Sequence, residues 1–260
     1  METIDFSVEN GVARIILNRP EAGNTLNSAM GRDLMQAALR CDEETAIRAV
    51  LLTGAGGLFC FGGDLKHFVA EAERIGPLIK EITTYLHSAI SRFSRMQKPL
   101  VVAVDGIAAG AGVSLTALGD VVLAGESATF TAAYTAAGLS PDGGSTYLLP
   151  RLIGMRRAQE LFFTNRKLSA AEAVDWGLIT RTVPDADLMS EAEKLAGALA
   201  NGPTAAFGTV KSLLAETFNT PLEAQLEQEA RGIARNAQSR DGREGVMSFV
   251  EKRKPVYTGE

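Results

Sequence analysis

From Phe6 the segment FSVENGVARIILN alternates apolar and polar residues around Asn10-Gly11, a pattern that predicts a β-hairpin. AMGRDLMQAALR, beginning at Ala29, carries its apolar residues at helical spacing. The short unbroken apolar runs AVLLTG from Ala49 and PLVVAV from Pro99 read as buried strands. Between them, TYLHSAISRFSRMQKP reads as an amphipathic helix with Leu86 and Ile90 around His87. Beyond Pro150 the pattern turns almost wholly helical. Ser169 and Glu172 are spaced as a capping box, and further helices are expected near 187–200, 203–216 and 221–238.

Two extended segments followed by a helix recur in the first half, which suggests a repeated strand-strand-helix unit without a visible sequence period. The fold class is therefore α/β. ANGPT, at 200–204, marks the expected boundary between a core of residues 1–200 and a helical region of residues 201–260.

Composition narrows the function. The chain has 260 residues, enough for a full core. Its net charge of −5 and its 26 dispersed basic residues offer no footprint for a nucleic acid or an anionic membrane. Cys41 and Cys60 are too few for a disulfide framework and lack metal-ligand spacing. METIDFSVE has no charged segment followed by an apolar one, and no apolar run approaches the length of a membrane span. A soluble, reduced, cytoplasmic protein is expected.

Candidate chemistry lies in two glycine-rich stretches, FCFGGDL at 59–65 and GIAAGAGVSL at 106–115, each placed after a strand. Such clusters are commonly turns. They also bare backbone N–H groups, and two such groups could hold one developing oxyanion, as a thioester carbonyl becoming an enolate requires. A dinucleotide site is rejected: neither TGAGG nor GAGVS completes the three-glycine fingerprint, and no acidic residue closes a following strand.

NRPEAGNTLN, FCFGGDL, GIAAGAGVSL and AGLSPDGGSTYLLPRLIG occur in that order, ahead of RRAQELFFTNRKLSAAEAVDWGL, and together resemble the crotonase (enoyl-CoA hydratase/isomerase) superfamily. The resemblance runs from about Ile4 to the C-terminus. It implies a spiral of strand-strand-helix repeats, a C-terminal helical region that packs a homo-oligomer, trimer or hexamer, and an acyl-CoA thioester substrate. Coenzyme A would enter as part of that substrate, with no separate cofactor and no metal. The oxyanion donors would be the amides of Phe61 and Ala111, the latter opening a helix that ends near 117–120 and whose dipole favours the anion. Ala22, Asn24 and Leu26 would meet coenzyme A, with Asn24 holding the loop. Gly62, Gly63, Leu65, Gly110 and Gly138 would line the acyl site with Phe61. Lys66 and His67 stand where a cation could meet phosphate, and Asp64 is placed either at the thioester loop or as the N-cap of the next helix. EKRKP at 251–255 could reach the coenzyme A of a neighbouring subunit or simply keep the tail solvated.

The resemblance also carries a departure. Hydratases of the two-glutamate type place carboxylates where this chain has Ser114 and Tyr134. Adding water needs one group to deprotonate it and a group to deliver a proton, which a serine and a tyrosine do not supply readily. Asp142, in SPDGG, reads locally as a turn residue. It matches instead the catalytic aspartate of crotonase-type isomerases and of 4-chlorobenzoyl-CoA dehalogenase. Desolvation in an apolar cleft strengthens a carboxylate as a base. One such base can take a proton at Cα and return it at Cγ, which implies double-bond or ring isomerisation. Hydration is the alternative. His87 matches the dehalogenase histidine that activates water, so a dehalogenating hydrolase is a further reading; a non-catalytic thioester-binding protein is another. SPDGGSTYLLPR is also similar to enzymes that isomerise an epoxidised phenylacetyl-CoA ring, for which Phe61 and Tyr134 would line an aromatic pocket.

Overall fold

A computed structural model describes all 260 residues. Nine strands form two sheets: β1 (Ile4–Glu9), β2 (Val12–Leu17), β3 (Ala49–Gly54), β4 (Leu100–Val104), β5 (Ile107–Ala109), β6 (Val121–Gly125), β7 (Thr129–Thr131), β8 (Leu168–Ser169) and β9 (Arg181–Val183). The helices are α1 (Ser28–Glu43), α2 (Leu65–Ala70), α3 (Ile75–Arg95), α4 (Ala111–Ala117), α5 (Ser145–Ile153), α6 (Met155–Thr164), α7 (Ala170–Trp176), α8 (Leu188–Ala200), α9 (Thr204–Glu216), α10 (Leu222–Gln238) and α11 (Arg240–Glu251). No helix is long and apolar enough to cross a membrane.

The larger sheet has the order β1-β2-β3-β4-β6-β9, and the smaller β5-β7-β8. β1 and β2 pair antiparallel through the expected hairpin, whose Asn10 and Gly11 have φ of 50° and 80°, the double left-handed turn that matches strand twist. The remaining pairs of the larger sheet are parallel. β5 is skipped between β4 and β6 because the chain alternates between the sheets there, β4 and β6 entering the first and β5 and β7 the second. Isolated bridges Leu26↔Gly63 and Cys60↔Ala108 bring the 59–65 stretch alongside that second sheet. This is the spiral of strand-strand-helix repeats that the resemblance implied.

β4 is buried along its whole length, as a parallel strand covered on both faces must be. Val102 and Val104 face the main core with Ile15, Leu52, Phe59 and Phe130. Val101 and Ala103 face the other way, onto Leu188, Ala192, Ala196 and Ala200 of α8. That four-residue spacing puts one stripe of α8 on the sheet.

Helix ends follow local chemistry. Ser169 and Glu172 form the capping box at α7, and the Asp64 carboxylate caps α2 by accepting from the His67 amide at 3.0 Å. α8, α9 and α10 begin and end within a residue or so of the expected limits. β8 and β9 were not anticipated in the helical half. At two and three residues, neither is long enough to show a period.

α10 and α11 bury only Gly232, Asp241 and Ser248, and they leave Leu226, Ile233, Val246, Phe249 and Val250 exposed. The region is nonetheless tied to the core. Arg48 donates to the carbonyls of Gly202 at 2.6 Å and Tyr257 at 3.1 Å, and Asp241 accepts from the amides of Thr258 and Gly259, both at 2.7 Å.

Cys41 and Cys60 are both free and buried, and burial pushes each thiol up to about 12. Thiolate is the reactive form, so neither should react with a disulfide reagent at neutral pH in the native protein. Both should react at once in denaturant, and fast native labelling would contradict this packing.

Candidate active site

The two glycine-rich stretches fold against one another. A Cβ added to Gly62 would lie 3.0 Å from the Ala109 carbonyl oxygen and 3.3 Å from the Ala111 nitrogen. One added to Gly112 would lie 2.3 Å from the Cys60 carbonyl oxygen. Glycine stands at both positions because backbone meets backbone there.

Beside this junction opens a cavity of about 310 Å³. Phe61, Gly63, Gly110 and Ala111 form one wall, Leu26 and Phe68 the floor, and Ile79, Ile82 and Leu86 of α3 another side. The segment from Ala133 to Asp142 closes it. Asp142 is the one charged residue in the lining.

Hydrogen bonding decides which amides are available. The Phe61 amide donates to the Gly23 carbonyl at 3.0 Å, so it is not the donor expected from the motif. The Gly62 amide points to Cys60 Sγ at 3.4 Å. The Gly63 and Ala111 amides make no hydrogen bond within the chain, and both residues line the cavity. The reason is strand alternation. The Gly62 carbonyl accepts from the Leu26 amide at 2.8 Å and the Asp64 amide donates to the Leu26 carbonyl at 3.0 Å, which turns the intervening Gly63 amide to the opposite side. The pair of unengaged donors is therefore Gly63 and Ala111. Ala111 opens α4 directly after Gly110, as expected, but α4 has only seven residues. The oriented amide contributes more than the dipole of so short a helix.

Asp142 is half-buried and held from several directions. Tyr134 donates its hydroxyl proton to Asp142 Oδ1 at 2.7 Å, and Ser114 Oγ lies 3.0 Å from the same hydroxyl. Ser114 is fully buried and also lies 3.2 Å from the Asp142 carbonyl oxygen. Burial, then the adjacent Asp142 carboxylate, push the Tyr134 phenol well above its usual range. Tyr134 thus stays a proton donor. Ser114 and Tyr134, notable in the sequence as missing carboxylates, support the carboxylate that replaced them.

His87 comes next to this group without entering the cavity. Its Nε2 accepts from the Gly143 amide at 3.2 Å, and the ring is exposed on the outer side of α3. The Nε2 that accepts this bond is engaged by the backbone and not turned to the cavity that Asp142 lines.

In the segment expected to meet coenzyme A, Asn24 is buried and accepts from the Arg19 amide at 2.8 Å while donating to the carbonyls of Ala55 and Leu58. It holds the loop, in the left-handed conformation at φ 51°. Leu26 and Leu65 line the cavity, whereas Ala22, Lys66 and Gly138 stand outside the lining. Arg19, not singled out from the sequence, pairs with Asp64 at 3.0 Å and joins this loop to α2. In the EKRKP tail, Arg253 is engaged by Glu244 and Glu251 of its own chain, and its bonds hold the Glu244 carboxyl down to about 2.

Two unengaged amides, an apolar cavity and one supported carboxylate are the kinds of group that polarising a carbonyl and moving a proton beside it require. The comparisons agree with that class. The enoyl-CoA hydratase/isomerase family profile matches residues 7–260. A protein of Rhodobacter capsulatus named "Probable enoyl-CoA hydratase" is 43% identical over 257 residues, covering 99% of this chain and 98% of that protein. The 1,2-epoxyphenylacetyl-CoA isomerase of Escherichia coli is 38% identical over 261 residues, the whole of both chains. The crystal structure of an enoyl-CoA hydratase from Polaromonas sp. JS666 superposes with a TM-score of 0.93 at 32% identity, covering 98% of this chain and 99% of that one. The chain belongs to the enoyl-CoA hydratase/isomerase family, a family of enzymes.

Proposed function

We propose that the protein is an acyl-CoA isomerase that shifts a double bond, or rearranges a ring, through a thioester enolate with Asp142 as its single base. The observation that carries this reading is the isolation of Asp142: it is the one charged side chain lining an apolar cavity whose wall presents the Gly63 and Ala111 amides. With a 3-enoyl thioester, Asp142 takes the proton from Cα and the C–H electron pair moves into the thioester carbonyl. The resulting oxygen anion accepts hydrogen bonds from the two amides, which are fixed before the charge develops. As the carbonyl re-forms, the double bond moves to the α,β position and Cγ takes the proton back from Asp142. Tyr134 occupies Oδ1, which leaves Oδ2 to carry the proton.

Phe61, Phe68 and Tyr134 place three aromatic rings around the cavity, and the likeness to an isomerase of an aromatic thioester supports an aromatic acyl group as one substrate class. Hydration lacks a second acid-base group here. Chromatography of products from a 3-enoyl-CoA tests the choice: a 2-enoyl-CoA product supports isomerisation, and a 3-hydroxyacyl-CoA product overturns it.

Tyr134→Phe removes a hydrogen bond to a charged acceptor while keeping the ring. It should lower kcat on the order of tenfold with KM little changed, since such bonds are worth about 1.5–3 kcal/mol. A change confined to KM would place Tyr134 in substrate binding instead.

We further propose that residues 201–260 form the oligomerisation region, because the apolar residues left exposed on α10 and α11 form the kind of surface that association covers. Sedimentation should give three or six chain masses. Replacing Phe249 and Val250 by Asp should dissociate the assembly, and an oligomer unchanged by that replacement would refute the assignment.

A further inference from the structure

We infer that His87 is a positioning residue that clamps the peptide unit following Asp142 and so aims the proposed base, and that this clamp opens when the imidazole takes up a second proton. The inference rests on the proposed role of Asp142.

The geometry concerns one peptide plane. Its carbonyl end, Asp142 O, accepts from Ser145 N at 3.1 Å and Ser145 Oγ at 2.8 Å, with Ser114 Oγ at 3.2 Å. Its amide end, Gly143 N–H, donates to His87 Nε2 at 3.2 Å. The plane is therefore gripped from α5 at one end and from α3 at the other. It needs gripping. Gly143 and Gly144 have φ of 60° and 73°, two successive left-handed glycines with high intrinsic freedom, and they immediately follow the base. A Cβ at Gly143 would come within 2.8 Å of Ser114 Cβ, so the loop is seated against α4 as well.

Accepting at Nε2 requires the neutral ring with its proton on Nδ1. The doubly protonated ring has no lone pair for Gly143 and presents a donor to a donor. Because the imidazole faces solvent on the outer side of α3, bulk protons reach it without passing through the cavity. The surface hollow that His87 lines holds one other charged residue, Arg92. Arg92, along α3, is engaged by Asp42 of α1 at 3.0 Å, and the Asp142 carboxylate is engaged by Tyr134. Displacing a catalytic group by about 1 Å costs up to about a hundredfold in rate, so loss of the clamp should be felt in kcat and not in binding.

The chain has two histidines, so ring ¹⁵N spectra of histidine-labelled protein contain two spin systems, and the one that His87→Gln removes belongs to His87. At neutral pH that ring should be the Nδ1–H tautomer; an Nε2–H tautomer would overturn the inference without reference to any reaction. With 3-enoyl-CoA, His87→Leu should lose roughly ten- to a hundredfold in kcat with KM within about twofold. His87→Gln, whose side-chain carbonyl can accept from Gly143, should recover most of that rate and lose the acidic fall in kcat expected of the wild type. Full activity in His87→Leu, or an unchanged acidic limb in His87→Gln, would overturn the positioning role. Absence of turnover in the wild type would defeat the isomerase reading instead, and the tautomer measurement would still decide the clamp.

Discussion

Asp142→Ala should reduce turnover of a 3-enoyl-CoA by roughly a thousandfold or more, the upper range for removal of a general base, while affinity for the thioester stays within a few fold. Apart from Asp142 the cavity lining carries no charged residue, so affinity should come from its apolar side chains and not from this carboxylate. Alanine also releases Tyr134 and Ser114, so Asp142→Asn is the sharper variant. Its side-chain oxygen can still accept from Tyr134, which preserves the 2.7 Å contact, yet it cannot take up the proton. Both variants should bind a saturated acyl-CoA as the wild type does, by calorimetry. Wild-type turnover in Asp142→Asn would remove the base from the account, and loss of binding in both would recast Asp142 as a substrate anchor.

Gly112→Ala should be the most damaging single methyl group in the site. The added Cβ would stand 2.3 Å from the Cys60 carbonyl oxygen, which is itself fixed by the Ala109 amide at 2.8 Å. Relief requires the 59–65 stretch and the start of α4 to separate, and those are the segments that carry the Gly63 and Ala111 amides. Overpacking of this kind costs about 1–3 kcal/mol, to be read from denaturant unfolding. The rate should fall further than stability alone accounts for, because removing one oxyanion donor costs on the order of a hundredfold or more. Gly76→Ala, in α3 with open space around its Cα, is the matched control and should be near neutral. A stable, fully active Gly112→Ala would mean that the two stretches are not in register as described.

Much of this was legible from short-range chemistry. Asn10-Gly11 announces its hairpin because few other pairs accept two positive φ values, and Ser169 with Glu172 announces the start of α7 because both halves of the cap lie within four residues. The glycines at 62, 110 and 112 were legible as places of close approach. What they approach was not. Whether Phe61 or Gly63 presents its amide depends on which of the two amides the 23–26 loop engages, nearly forty residues away in the chain. The Ser114, Tyr134 and Asp142 group likewise joins α4 to the 133–142 segment, and from the sequence the first two registered as absent carboxylates, with Tyr134 also lining an aromatic pocket, but not as partners of Asp142. His87 could be singled out by its type and spacing, but its direction could not: the helix face it occupies looks outward, and only its contact with Gly143 reaches the site. β8 and β9 escaped because two or three residues carry no pattern.

In the proposed reaction one carboxylate moves one proton across an enolate. That transfer is tested most directly by incubating the protein with a 3-enoyl-CoA in heavy water and reading product mass and double-bond position. The expected product is a 2-enoyl-CoA that incorporates solvent deuterium in part, since Asp142 returns some of the proton it removed, with no added water. A product heavier by the elements of water, formed at a comparable rate, would show that another group activates water and would contradict the single-base site.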